Sequence, residues 1–81
     1  MNISTNNMEV TAQKIWFNTS RIFALLSDGR IVGMPLVWFP RLQKASEQQR
    51  EKYELFENGK WIHWEQLDED LSAAGFISFK K

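Results

Sequence analysis

The 81-residue chain contains no cysteine. Disulfides and thiolate metal sites are therefore excluded, and a small secreted domain would usually need such staples. No apolar run approaches the ~20 residues of a membrane-spanning helix. The N-terminus lacks the basic-then-apolar order of a signal peptide. A cytoplasmic location is the expectation. Excess charge is missing too: 10 basic and 10 acidic residues leave a net charge of zero. A dedicated nucleic-acid binder normally carries a basic excess, because phosphate neutralisation supplies most of the affinity. Zero net charge also gives little self-repulsion and permits self-association. No phosphate-binding loop, dinucleotide fingerprint, zinc signature or nucleophile elbow occurs, and no cofactor is expected.

Apolar and aromatic residues are abundant. A hydrophobic fraction of 43% and four tryptophans oppose disorder. The length fits one domain. Residues 1–8 are polar and without period, which predicts a flexible tail before a single α+β domain over 9–81. The chain is organised around Val37-Trp38-Phe39-Pro40-Arg41-Leu42. Each large apolar side chain gains roughly 1.5–3 kcal/mol on burial, so this joint should be tucked in, with Trp38 and Phe39 as core anchors.

Before the joint the pattern is β. Lys14 to Phe17, Arg21 to Ser27 and Arg30 to Leu36 read as strands. Asp28-Gly29 signals a two-residue type I′ turn, which needs positive φ at both central positions. That turn would place Leu26 opposite Ile31, Leu25 opposite Val32 and Phe23 opposite Met34. One face would then carry Phe23, Leu25, Val32 and Met34, and the other Ile22, Ala24, Leu26 and Ile31. An antiparallel hairpin with one wet face would alternate apolar and polar residues. Cover on both sides is expected, from a second copy, a partner protein or the chain's own second half.

After the joint, Pro40 suits the first turn of a short helix, Pro40 to Lys44. Ser46 and Gln49 form a capping box for a polar helix, Glu47 to Lys52. Tyr53 to Glu57 and Lys60 to Trp64 are strands joined by Asn58-Gly59, again read as type I′. That register pairs Phe56 with Trp61, Glu54 with His63 and Tyr53 with Trp64. Glu65-Gln66-Leu67 leaves the sheet. Asp70 suits the cap of a short helix, Leu71 to Ala74, with Gly75 at its end. The predicted class is α+β: a small antiparallel sheet of two hairpins, with short helices between and after them.

His63 is the only histidine. Glu54 is its expected cross-strand neighbour, with Trp61 and Phe56 on the same face. An acid–histidine pair can do general acid/base work, but Ser72 and Ser78 lie far along the chain and no nucleophile is framed. No enzymatic activity is expected. Asp68-Glu69-Asp70 lacks the spacing of a calcium loop. It reads either as a solvated helix cap or as an electronegative contact that steers a basic partner. Arg41 stands beside Trp38 and Phe39, where it can cover aromatic surface or bind an acidic group.

Four segments together resemble one family. They are Asp28-Gly29-Arg30, then Pro35-Leu36-x-Trp38-Phe39-Pro40-Arg41-Leu42, then Ala45 with Glu47-Gln48-Gln49-Arg50, then Ile62-His63-Trp64-x-x-Leu67-Asp68-Glu69-Asp70-Leu71. The chain from about Val10 to Phe76 is similar to the small bacterial domain of unknown function 2442. The resemblance implies an α+β domain whose gene neighbours that of a second small protein, in an arrangement like a toxin–antitoxin pair. Some members carry an appended helix-turn-helix domain. This chain ends without one, so direct DNA binding is not expected. The family supplies no catalytic residues to transfer. The expected function is a non-catalytic protein-interaction module, antitoxin-like, with a small and basic toxin-like partner and a possible homodimer. The candidate contact residues are Trp38, Arg41, Trp61, His63, Trp64, Asp68, Glu69 and Asp70. The alternative is a nucleic-acid or nucleotide-binding regulatory module using Arg21, Arg30, Arg41 and the exposed aromatics.

Overall fold

A computed structural model describes residues 10–78, so the expected N-terminal tail and Phe79 lie outside the described residues. The order is β1 (Ala12–Phe17), β2 (Arg21–Leu26), β3 (Ile31–Pro35), α1 (Pro40–Lys44), α2 (Glu47–Glu51), β4 (Tyr53–Phe56), β5 (Trp61–Trp64), β6 (Glu69–Ser72) and α3 (Ala73–Ser78). Single 3-10 turns lie at Leu36–Trp38, Glu57–Gly59 and Glu65–Leu67. The strands form two three-stranded antiparallel sheets, β1-β2-β3 and β4-β5-β6. The α+β class stands: the expected strand at Lys14 to Phe17 joins the first hairpin as β1, and the second hairpin gains a third strand, β6. Among the described residues no helix is long and apolar enough to cross a membrane.

The first hairpin departs from its expected register by one residue. The Leu26 N–H donates to the Arg30 carbonyl at 2.8 Å and Gly29 N–H to the Leu26 carbonyl at 2.9 Å. The loop is therefore Ser27-Asp28-Gly29, and of these only Gly29 takes a positive φ, 94°. Asp28 is the cause. One carboxylate oxygen accepts the Arg30 backbone N–H at 3.1 Å and the other the Arg30 Nε–H at 2.7 Å. Those bonds hold Asp28 out of the left-handed region, and a three-residue loop closed by a left-handed glycine results. Ile22 now faces Met34 and Ala24 faces Val32. Because side chains alternate with period two, one step reassigns every β3 residue to the other face. The inner face becomes Ala12, Ile15, Ile22, Ala24, Leu26 and Met34, all buried. Trp16, Phe23, Leu25 and Ile31 share the outer face.

The joint behaves in part as expected. Phe39 and Leu42 are buried, and Trp38 is half-buried against the core. Val37 is 61% exposed, because the 3-10 turn at Leu36–Trp38 sends Leu36 inward in its place. Pro40 opens α1 at its first turn. Ser46 caps α2 through a complete capping box with Gln49, at 3.0 and 3.1 Å.

The second hairpin keeps its expected register: Tyr53 faces Trp64 and Phe56 faces Trp61. Its turn is longer than type I′, with positive φ at Glu57, Asn58 and Gly59 in succession. Gly59 is buried, with φ 94°, and a Cβ there would run into the Ala12 carbonyl. The turn thereby docks on β1 of the other sheet. The Ala73 N–H donates to the Lys60 carbonyl at 2.9 Å, and the Ile15 N–H to the Tyr53 hydroxyl at 3.2 Å. The predicted helix at Leu71 to Ala74 is replaced by β6. Strand β5 offers a free edge, and pairing with it satisfies the backbone of Glu69–Ser72 better than an isolated helical turn would. The helix starts at Ala73 instead, and Gly75 lies inside it, its N–H donating to Ser72 Oγ at 2.9 Å.

The two turn glycines should respond differently to substitution. Gly29 has open space around it, so Gly29→Ala should cost about 1 kcal/mol for the positive φ alone. Gly59→Ala should cost a further ~1–3 kcal/mol, because overpacking adds to the backbone strain. Urea denaturation of both variants measures the difference. Equal losses would refute the packing of this turn on β1.

Candidate functional site

The outer face of the second sheet carries Phe56 and Trp61, the aromatic side chains that are exposed among the described residues. Alternation along β4, β5 and β6 points Glu54, Phe56, Trp61, His63, Asp70 and Ser72 to one side. The opposite side carries Ile62, Trp64 and Leu71 into the core. Phe56 and Trp61 are cross-strand partners, 48% and 42% exposed. Large apolar side chains are usually buried, so two of them adjacent and exposed on a sheet surface set this face apart. Glu57 and Glu65 complete a shallow cleft around Phe56, Trp61, His63 and Asp70.

His63 sits at the centre of this face. Its ring meets Phe56 edge-on, with centroids 5.7 Å apart and planes at 84°. Glu54 lies opposite it on β4, as the hairpin register predicts. Its side-chain partners are others. Nδ1 bonds the Asp70 carboxylate, and Nε2 lies 3.0 Å from Glu65 Oε1. Two carboxylates against two ring nitrogens favour the imidazolium, which donates through both N–H groups. The hydrogen bond to Asp70, and after it that to Glu65, raises the His63 pKa above its ordinary 6.5. Ser72, on the same face, uses its Oγ to hold the Gly75 N–H. Among the described residues no three His, Asp or Glu side chains converge as a metal site.

The acidic run does not act as one patch. Asp68 has a left-handed backbone, φ 53°, and its side chain is 97% exposed. Its carbonyl accepts from Arg41 Nη1 at 2.5 Å. Arg41 also stands 4.0 Å from the Asp68 carboxylate and 3.9 Å from that of Glu69. Strand alternation turns Glu69 to the inner side, where burial raises its pKa against the opposing pull of Arg41. Asp70 faces outward to His63. Of the candidate contact residues, Trp61, His63 and Asp70 come together on this face. Arg41, Asp68 and Glu69 form a separate group on the other side. Trp38 packs on the core beneath the joint. Trp64 is fully buried, which corrects its place among surface contacts. Phe56, Glu57 and Glu65 join the site. The hairpin register already sets Phe56 beside Trp61, whereas Glu65 reaches His63 only because a 3-10 turn follows β5.

The family of proteins of unknown function DUF2442 matches residues 12–81. The chain belongs to this family. The matched DUF2442 region takes in both sheets and the joint between them. A solved structure agrees: a protein of unknown function from Rhodospirillum rubrum ATCC 11170 is 30% identical, with a TM-score of 0.71 over 86% of this chain and 87% of that one. No curated protein matches the chain.

The His63 bridge makes a pH prediction. A histidine whose folded pKa is raised stabilises the fold fully below its unfolded pKa, and that stabilisation is lost as pH rises through the folded value. The stability advantage of the wild type over His63→Gln should therefore be largest below about pH 6 and shrink as pH rises through the raised folded value. Urea midpoints across this window measure it. With a single histidine, the imidazole NMR resonances report the pKa directly. A titration at or below 6.5 would break the argument.

Proposed function

We propose that the chain is a non-catalytic protein-interaction module, the antitoxin-like partner of a small basic protein encoded beside it. The outer face of the second sheet is its contact surface. The observation that carries this reading is the exposed Phe56–Trp61 pair, ringed by Glu54, Glu57, Glu65 and Asp70. An aromatic anchor inside a charged rim is the usual anatomy of an interface core. Acidic groups around it select a basic surface and steer its approach. A protein that acts on RNA has such a surface, since phosphate contact demands Lys and Arg.

A non-catalytic role is supported by the fate of the polar groups in the cleft. The His63 nitrogens are both engaged by carboxylates, and Ser72 Oγ is engaged by Gly75. The nucleic-acid reading finds less support. Arg30 is ion-paired to Asp28 at 2.7 Å, and Arg41 is held by Asp68 and Glu69.

The test is a salt series of association and dissociation rates with the protein encoded next door. Trp61→Ala should speed dissociation at every salt concentration, by roughly thirtyfold or more if Trp61 is a hot spot. Glu54→Gln with Glu57→Gln should slow association about fivefold at low ionic strength and leave it unchanged at high. Asp68→Asn with Glu69→Gln should have little effect on either rate. If Trp61→Ala binds as the wild type does, this face is not the contact surface.

A further inference from the structure

The zero net charge of the chain conceals a separation. Residues 10–52 carry seven basic and three acidic side chains, whereas residues 53–78 carry one basic and six acidic. The outer faces of the two sheets express that difference. The first shows Lys14 and Arg21 among Trp16, Phe23, Leu25 and Ile31. The second shows Glu54, Asp70 and the rim residues Glu57 and Glu65 around Phe56 and Trp61.

The first face is apolar yet is not part of the core. Trp16, Phe23 and Leu25 stay partly accessible, and Ile31 is 62% exposed. Its rings are held by their neighbours. Trp16 and Phe23 stack with centroids 5.7 Å apart and planes at 16°, and Lys14 Nζ lies 5.8 Å over Trp16. Phe23 covers Gly33, where a Cβ would collide with the ring. A stacked surface of this kind is already ordered, so docking on it costs little side-chain entropy.

We propose that these two faces bind each other between copies of the chain. The first-sheet face of one copy seats on the second-sheet face of another. Charge selects this arrangement over its rivals. Pairing two first-sheet faces would bring Lys14 and Arg21 of both copies together, and pairing two second-sheet faces would bring the carboxylates together. Pairing unlike faces sets cations against carboxylates and aromatic surface against aromatic surface. If the contact is reciprocal it closes as a dimer, and if it is head-to-tail it grows with concentration. The proposal is tested on the chain alone and stands apart from binding of a foreign partner.

The experiment is sedimentation velocity of the full chain at micromolar concentration, with circular dichroism to confirm that each variant is folded. The wild type should associate at about 50 mM salt and weaken at least tenfold at about 500 mM. Lys14→Glu with Arg21→Glu makes both faces acidic, and Glu54→Lys, Glu57→Lys and Glu65→Lys together make both basic. Each variant alone should be monomeric. An equimolar mixture of the two should associate again, because every unlike pair of faces is restored. A monomeric wild type at low salt would overturn the proposal. So would a Glu54→Lys, Glu57→Lys, Glu65→Lys variant that still self-associates, or a mixture that does not.

Discussion

One buried indole ties the two halves of the molecule together. Trp64 is the largest fully buried side chain, and its Nε1–H donates to the Arg50 carbonyl at 3.0 Å. A buried donor without a partner costs about 1–3 kcal/mol, so this bond fixes where α2 must lie relative to β5. The Arg50 side chain continues the connection. Its guanidinium donates to the carbonyls of Leu42 and Gln43, both at 2.8 Å, and so satisfies the end of α1. The same guanidinium lies 5.4 Å over the Phe17 ring, and Phe17 meets Trp64 edge-on at 6.4 Å. The circuit from β5 through α2 and α1 to β1 and back is closed. Helices α1 and α2, of five residues each, are too short to persist alone, and this circuit is what holds them.

The circuit also explains which parts of the fold were legible in the sequence. Local signals with one physical meaning were read correctly: Pro40 at a helix start, the Ser46–Gln49 box, and aromatic pairing across the second hairpin. The Asp28-Gly29 turn was misread because the same dipeptide serves two loop lengths. The choice between them rests on where the Asp28 carboxylate finds donors, and Arg30 supplied them. Strand β6 was invisible for another reason. Glu69-Asp70-Leu71-Ser72 has little strand propensity of its own, and the open edge of β5 imposes the conformation.

The candidate site divides along the same line. The Phe56–Trp61 pair and the central place of His63 follow from register alone. The nature of the acidic run does not. A run of three carboxylates looks like a single charged patch, but a left-handed residue followed by a strand distributes them in different directions. Asp70 reaches His63, Glu69 turns inward, and Asp68 gives its carbonyl to Arg41. Trp64 shows the converse. Its hydrophobicity fits an interface anchor or a core residue equally well, and only the phase of β5 sends it inward while Trp61 points out.

A single core shared by two small sheets leaves each sheet with an outer face that the described residues do not bury. In a larger α+β domain helices cover such faces, because burying apolar area is the main source of stability. Here the helices are committed elsewhere. Helices α1 and α2 serve the Arg50 circuit, and α3 inserts Phe76 into the core. Aromatic residues on the two outer faces therefore lower the monomer's solubility and stabilise it less than buried ones would. Their rigid setting points the same way: Phe23 is stacked on Trp16, and Phe56 is set edge-on to His63. Rings held in fixed orientations at a surface lower the entropy lost on contact, which benefits an assembly and contributes little to an isolated fold.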